Sequence, residues 1–470
     1  MAELLKGKNQ DLQIHAAWCL GNMAGEDVRF CIEVLKCVFP IHVVTLLKCA
    51  SPPCIRSLVW LLRSLMDHPV ITSATGYLTL PLVTETITTL SALVNDLTGH
   101  AVAEKKVVPE MTIAPWRLFE MKTGMPVPND IAVVRYFAAV DAETIKVADL
   151  DVNFSTGQND TYVCKIIDLE PIESIGGEEE EEEEDDVIMD EKSLTLCDSC
   201  WVLVEMSSSS CVPLMLDLNL SSSLVSLLQV FDAPLIISAA LRLLESIISN
   251  VNPTLSMQLS KEAIALMPRL LFNSSNSVRE EACWFMSNIA AESIAHSTLV
   301  MQQDTLMIRL VEQLKWANWD IRKEAVWVVS NVIIHIPQES VLLLIEMDVL
   351  EAFSYQLDES DPQMSMLIME ALASMLHWSE GTEEGSELIK QSIESSYCQN
   401  KLEELCYVEN NDVSNMAAGI LDTYFCEGIQ DSSLPSSIHI DENTQQSGTF
   451  EFSSSSSSST PTVFHFGGPK

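Results

Sequence analysis

The sequence predicts an all-α solenoid, and three observations carry that expectation. One phrase is repeated, as Glu280-Glu-Ala-Cys-Trp-Phe-Met-Ser-Asn288 and Lys323-Glu-Ala-Val-Trp-Val-Val-Ser-Asn331, with a third copy, Ala16-Ala-Trp18-Cys-Leu-Gly-Asn22, near the start. Segments carrying the phrase or its degenerate form recur at Trp18, Trp60, Trp201, Arg242, Trp284 and Trp327, about 42 residues apart within each run, a period typical of stacked two- or three-helix repeats. Hydrophobic residues make up 47% of the 470, enough for a core made continuous by stacking, since no such repeat can bury its apolar face alone.

Taken in order, residues 1–100 read as N-terminal repeats built around Trp18 and Trp60. Ser91 and Asn95 keep the four-residue spacing without the indole, the mark of a decayed repeat. From 101 to 191 the text changes. Pro109, Pro115, Pro126 and Pro128 exclude long helices, and Val152 to Leu169 holds short β-prone runs. Glu178 to Asp186 is an unbroken acidic block of the kind that stays solvated, and Trp116 has no place in the period. The stretch reads as a partly disordered or β-prone acidic insertion. Residues 192–428 resume the repeats: Ser277-Val-Arg-Glu280 reads as a capping box before the Trp284 helix, and Asp320 as the cap of the Trp327 helix. Met369-Glu-Ala-Leu-Ala-Ser374 and Ala417-Ala-Gly-Ile-Leu-Asp-Thr-Tyr-Phe425 extend and close the array without the Trp. Residues 429–470, with serines from Ser453 to Ser459, read as a disordered tail.

Charge narrows the partners. With 26 Lys+Arg against 67 Asp+Glu the net charge is −41, which repels phosphate backbones and anionic membranes and attracts cations. Nucleic acid and membrane are therefore not expected as partners. The 13 cysteines lie scattered, mostly in apolar helical stretches, with no secretory signal before them, which reads as free thiols in a reducing compartment. A soluble cytoplasmic or nuclear protein follows, and the sequons at Asn153 and Asn159 then carry no meaning. Cys197-Asp-Ser-Cys200 has the spacing of a metal or redox pair, but no second pair completes it, so core packing is the reading. His100, His335 and His377 have no nucleophile or carboxylate partner in the text. With no Gly-rich phosphate loop and no catalytic constellation, neither a cofactor nor an enzyme is expected.

The repeated phrase says what the array could hold. A Trp and an Asn four residues apart share one helix face. An Asn carboxamide offers both a donor and an acceptor to the free backbone groups of an extended peptide. Indole faces between successive asparagines make slots for the stem of Lys or Arg, with cation-π attraction of roughly 0.5 to 2 kcal/mol per contact. Glu281 and Glu324 precede their Trp by three residues and lie on the same face, placed to pair with the cation. A single Trp at helical spacing is more often core than platform. Repetition with Asn weighs against that, because an Asn buried without partners costs about 1 to 3 kcal/mol.

These residues resemble importin-α, the armadillo-repeat adaptor that carries cargo bearing basic nuclear localisation signals. The resemblance spans about Leu12 to Leu97 and Leu196 to Phe425. Ala16-Ala-Trp-Cys-Leu-Gly-Asn22 resembles the family's second repeat, Ser57-Leu-Val-Trp60 the next, Asp198-Ser-Cys-Trp201 the fifth and Ala240-Leu-Arg242 the sixth. Trp284 with Asn288 and Trp327 with Asn331 resemble the seventh and eighth, with Glu281 and Glu324 at acidic positions of the family's minor groove. Tyr424-Phe425 and Gly448-Thr-Phe-Glu-Phe452 resemble the last repeat and tail, which implies an export receptor as a partner of the C-terminal repeats. The resemblance implies a right-handed superhelical armadillo/HEAT-type solenoid, an adaptor function and peptide contacts at Trp284, Asn288, Trp327, Asn331, Glu281, Glu324 and Arg242. Trp18, Asn22, Trp60, Asn95 and Trp201 would form what remains of a second, major site.

Departures limit the expectation. Ser64 stands where an Asn would partner Trp60, Ser91 where a Trp would partner Asn95, and Ser246 where an Asn would partner Arg242. The family's basic importin-β-binding segment has no counterpart ahead of Trp18, so neither importin-β engagement nor the usual autoinhibition is expected. Cargo binding centred on Trp284 to Asn331 is the leading reading; a non-transport armadillo scaffold and an incomplete or misassembled gene product remain open beside it.

Overall fold

The computed structural model describes residues 1–38, 41–66, 80–104, 155–156, 162–163, 190–230, 233–303, 305–336, 338–358, 360–379 and 383–425. They are almost wholly helical and belong to one unit, Met1–Phe425; the second unit, Cys426–Lys470, lies outside them, and with it the expected tail.

Local sequence sets the helix starts. Side chains of Asn9, Asp190, Asn252, Asn318 and Asn410 accept from backbone N–H groups two or three residues on, satisfying donors that a helix start leaves open. Pro234 and Pro253 open their helices, where a missing N–H costs nothing. Two expected caps are corrected. Ser277 lies inside the helix Asn276–Glu292, which begins after Ser275, and Asn318 rather than Asp320 caps the helix Trp319–His335.

One layer is a ladder in which each helix packs on the next: Gln10–Glu26, Pro52–Met66, Glu191–Glu205, Pro234–Ile248, Asn276–Glu292, Trp319–His335, Pro362–Ser379 and Asn411–Tyr424. A second layer runs beside it. There Ile41–Leu47 packs on Leu80–Glu104 and that helix on Leu220–Leu227; further on, Met267–Leu270, Leu306–Trp316, Val349–Ser354 and Cys398–Leu405 follow one another. The core fills the space between layers with fully buried Leu, Ile, Val, Met and Ala, joined by Phe285 and Phe353. This is the all-α solenoid that the period predicts.

The corner ahead of the second-layer helix is the same in four repeats. Asn219, Thr305, Asp348 and Tyr397 hold φ of 60°, 66°, 61° and 67°, each directly before a helix. Asn and Asp tolerate this left-handed geometry, whereas Thr and Tyr hold it at a cost.

The ladder steps directly from Pro52–Met66 to Glu191–Glu205. The expected decayed repeat between them does not exist as a rung: Leu80–Glu104, which carries Ser91 and Asn95, lies in the second layer and packs against Glu191–Glu205. The insertion therefore leaves and re-enters one repeat, between two of its helices, instead of separating two arrays. Its first four residues, Ala101–Glu104, finish a helix. Within the β-prone span, strands Ser155–Thr156 and Tyr162–Val163 pair antiparallel, with Ser155 opposite Val163. Trp116, the four prolines, the acidic block Glu178–Asp186 and Gly448 to Phe452 lie outside the described residues.

Candidate functional site

The ladder brings Trp284 and Trp327 onto adjacent rungs, because Asn276–Glu292 packs on Trp319–His335. Both indoles are half-buried, as are Asn288 and Asn331. Neither pair is sealed in the core, so the face bearing them remains open to a ligand. Asn288 donates from Nδ2 to the Trp284 carbonyl at 3.2 Å, and Asn331 donates from Nδ2 to the Ser287 carbonyl on the preceding rung at 3.1 Å. Each amide thus uses one N–H to hold its own orientation. Among the described residues the second N–H and Oδ1 of each take no further hydrogen bond.

Arg242 closes one end of this pair. Its guanidinium lies over the Trp284 ring at 3.6 Å from the centroid and grips Glu281 with two hydrogen bonds, Nε to Oε2 at 2.6 Å and Nη2 to Oε1 at 2.9 Å. The expectation that Glu281 meets a cation from outside is corrected. Its carboxylate is already matched by a planar fork from within the chain. The assembly is itself an example of what the face can do, since a guanidinium rests on an indole while a carboxylate holds its edge.

Glu324 differs. Its carboxyl is pushed up to about 7, first by burial, then by the charge of Glu280 across the rungs; Lys323 and Arg242 oppose the rise and Glu281 adds to it. Glu280 is raised too, by burial and by Asp320 and Glu281. Glu370, the same ladder position one rung further on, is raised by burial. Sequence reasoning missed Glu280 and Glu370. The doubled acid in Glu280-Glu281, set against Lys323-Glu324, was the signal for the first.

The N-terminal candidates assemble otherwise. Trp18 and Trp60 stack on each other, centroids 5.6 Å apart and planes at 26°, which leaves no room for an alkyl stem between them. The Trp60 indole donates from Nε1 to Asn22 Oδ1 at 3.2 Å. Gly21 makes this possible: a Cβ there would meet Trp60 Cδ1 at 2.8 Å. The expected slot is therefore closed in this structure. Asn95 is off the ladder altogether. It donates from Nδ2 to the Leu218 carbonyl at 2.8 Å and accepts from Ser223 at 2.7 Å, tying second-layer helices together; its reading as a groove residue is corrected. Ser64 is buried and bonds back to the Trp60 carbonyl.

Trp201 is half-buried beside a clasp that the sequence did not disclose. Asp198, 3% exposed, takes both Arg56, at 2.6 Å, and Arg63 from the neighbouring rung. Arg63 also lies 5.8 Å from the Trp201 ring centroid and Arg56 6.0 Å from that of Trp60. The chain's own arginines thus sit where an external cation was expected. Cys197 and Cys200 are buried in the packing beside Asp198. Burial pushes the Cys197 thiol up to about 11 and Cys200 higher still, away from the thiolate form that metals and oxidants need.

No family model matches the chain. It is 28% identical over 154 residues to importin subunit alpha-5 of Arabidopsis thaliana, across 32% of this chain and 30% of that one. To importin subunit alpha-2 of Oryza sativa subsp. japonica it is 25% identical over 187 residues, across 37% and 34%. The chain spans about a third of the length of the curated relatives it matches. Among solved structures, a designed armadillo repeat protein in complex with peptide (KR)4 is 23% identical with a TM-score of 0.41, covering 49% of this chain and 93% of its own. An engineered protein covering 91% of this chain and 98% of its own is 16% identical with a TM-score of 0.43. The fold is an all-α solenoid of stacked helices. Its ladder face carries the indoles and carboxamides whose spacing set the sequence expectation, half-buried at Trp284 to Asn331, where Arg242 covers one face of Trp284, and internally paired at Trp18 to Trp201.

Proposed function

We propose that this protein is an adaptor for nuclear import, present in cytoplasm and nucleus, that binds Lys/Arg-rich nuclear localisation peptides in extended form along Trp284 to Asn331. The single observation that carries the reading is the pair of half-buried indoles on adjacent rungs, each with its oriented Asn, beside an acidic wall. Asn288 and Asn331 hold the peptide backbone, Trp284 and Trp327 flank a basic stem, and Glu324 meets its charge. Arg242 and Glu281 position the Trp284 indole without touching cargo. Similarity to importin alpha subunits supports the adaptor role; an export receptor docking at the C-terminal repeats belongs to the same proposal.

Calorimetric titration of the full chain with a Lys/Arg-rich signal peptide tests the reading. Affinity near micromolar, about −8 kcal/mol, is expected, lost in the Trp284→Ala, Asn288→Ala double variant and weakened by added salt. Absence of heat with every basic peptide rules it out. The stacked Trp18 and Trp60 favour a second reading, a scaffold without a transport role. Capture of importin-β from solution by the cargo-loaded chain decides against the scaffold.

A further inference from the structure

The first described rung of the ladder turns an apolar stripe to solvent. Gly21 faces the next rung, since a Cβ there would meet Trp60 Cδ1 at 2.8 Å and Leu61 Cα at 3.4 Å. At about 100° per residue, Leu12, Cys19 and Met23 lie within about 20° of the opposite direction on the same helix. Leu12 and Met23 are each 45% exposed, and Cys19 is half-buried. Leu4 and Phe30, on the helices Ala2–Leu5 and Val28–Val38 that pack on this rung, are exposed as well.

On later rungs the same three places are core. Counted from the Trp position they stand six before, one after and five after. On the Trp284 rung they hold Val278, Phe285 and Ile289, and on the Trp327 rung Ile321, Val328 and Val332, none more than 1% exposed. Those two helices each pack on a preceding rung, Pro234–Ile248 and Asn276–Glu292. The stripe on Gln10–Glu26 continues that rung-to-rung interface with its partner surface still to be supplied.

Two observations say what fits it. On the last ladder helix, Asn411–Tyr424, Val413 and Ile420 are buried, while Asn415 and Asp422 on the opposite side are exposed. That polar face offers an apolar stripe no match, so the complementary surface on another copy of the chain is the like stripe, as an isologous contact requires. Charge agrees. Residues 1–66 hold seven Lys+Arg against five Asp+Glu in a chain whose full balance is 26 against 67, so the N-terminal rungs are where two copies repel each other least.

We propose that Leu12, Cys19 and Met23 form a dimer interface, through which two copies of this chain stack end to end about a two-fold axis. Each copy covers the bare rung of the other. The peptide face at Trp284 lies four rungs further on, so the pairing stands or falls apart from the function proposed above.

Sedimentation equilibrium of the full chain from about 1 to about 100 µM reads the pairing. The wild type is expected to pass with rising concentration from the 52.1 kDa of one chain to twice that mass, and to stop there. Leu12→Glu combined with Met23→Glu, which sets unpaired charges in the contact, is expected to raise the dissociation constant about a hundredfold or more. Far-UV circular dichroism and thermal unfolding of the dilute chain should stay unchanged. A second measurement needs no variant: alkylation of the wild type by iodoacetamide should slow at Cys19 as concentration rises, while the exposed Cys49, on the next repeat, reacts at a constant rate. A monomer at every concentration overturns the proposal and leaves the stripe to a helix from a different protein. A dimer in which Cys19 stays reactive overturns it too, by placing the contact elsewhere, and so does a mass that grows without limit, the mark of head-to-tail stacking.

Discussion

Arg242 shows how a single side chain can assign roles to its neighbours. By stacking on Trp284 and forking onto Glu281 it neutralises one ladder carboxylate and leaves Glu324 to carry the repulsion of the rest. Burial of that carboxyl, and the repulsion added to it, has a stability cost with a definite sign. Glu324 has a folded pKa of about 7 against an ordinary 4.5. Between those values the folded chain holds a proton that the unfolded chain releases, so stability falls as pH rises through that window. The ceiling is about 3 kcal/mol, less whatever solvent screening removes. Glu324→Gln, which copies the neutral form, is expected to be more stable than the wild type at about pH 8 by part of that amount, with the gap closing by about pH 4. Urea unfolding at the two pH values checks this, and a gap that widens toward acid would contradict it. The Trp and Asn of each phrase were legible because helical geometry alone places residues four apart on one face. The fork onto Glu281 was not, because it joins two rungs and depends on how far their side chains reach in space.

At the scale of elements, the sequence marks helices well and their neighbours poorly. Trp60, Trp201, Trp284 and Trp327 all fall on ladder helices, as the spacing required. Asn95 satisfied the same spacing yet sits in the second layer, because Leu80–Glu104 packs beside Glu191–Glu205 instead of between it and Pro52–Met66. Periodicity counts residues along the chain, and it cannot tell which helix fills the next place in the stack when a long insertion intervenes. The assignment of Asn95 has a measurable consequence. Asn95→Ala would leave the Leu218 carbonyl and the Ser223 hydroxyl without their partner, costing about 1 to 3 kcal/mol. Peptide affinity should stay unchanged; a loss of affinity with no loss of stability would return Asn95 to the groove. Helix caps were misplaced for a related reason, since Ser277 and Asp320 carry suitable side chains but sit two residues too late to meet the open N–H groups. The left-handed corners at Thr305 and Tyr397 had no signal at all, because neither residue type favours that geometry.

For the whole molecule, a net charge of −41 makes long-range attraction of cationic ligands a property of the entire surface, and the salt sensitivity expected of the proposed peptide binding follows from it. The solenoid order was legible because stacked repeats need only their neighbours. The step from Met66 to Glu191 was not, since it joins residues far apart in sequence: Arg56 and Asp198 are 142 positions apart and meet at 2.6 Å. Closing so long a loop carries an entropic cost that grows only slowly with its length, so the joint between these rungs rests on packing and on the Asp198 clasp far more than on the covalent thread. Cutting that thread should therefore leave the halves together. Polypeptides 1–104 and 190–425, produced separately in one cell, are expected to co-purify as a stable complementation pair, and Asp198→Ala to release one from the other. A protease nick anywhere between them would then pass unnoticed until heat or denaturant parted the fragments.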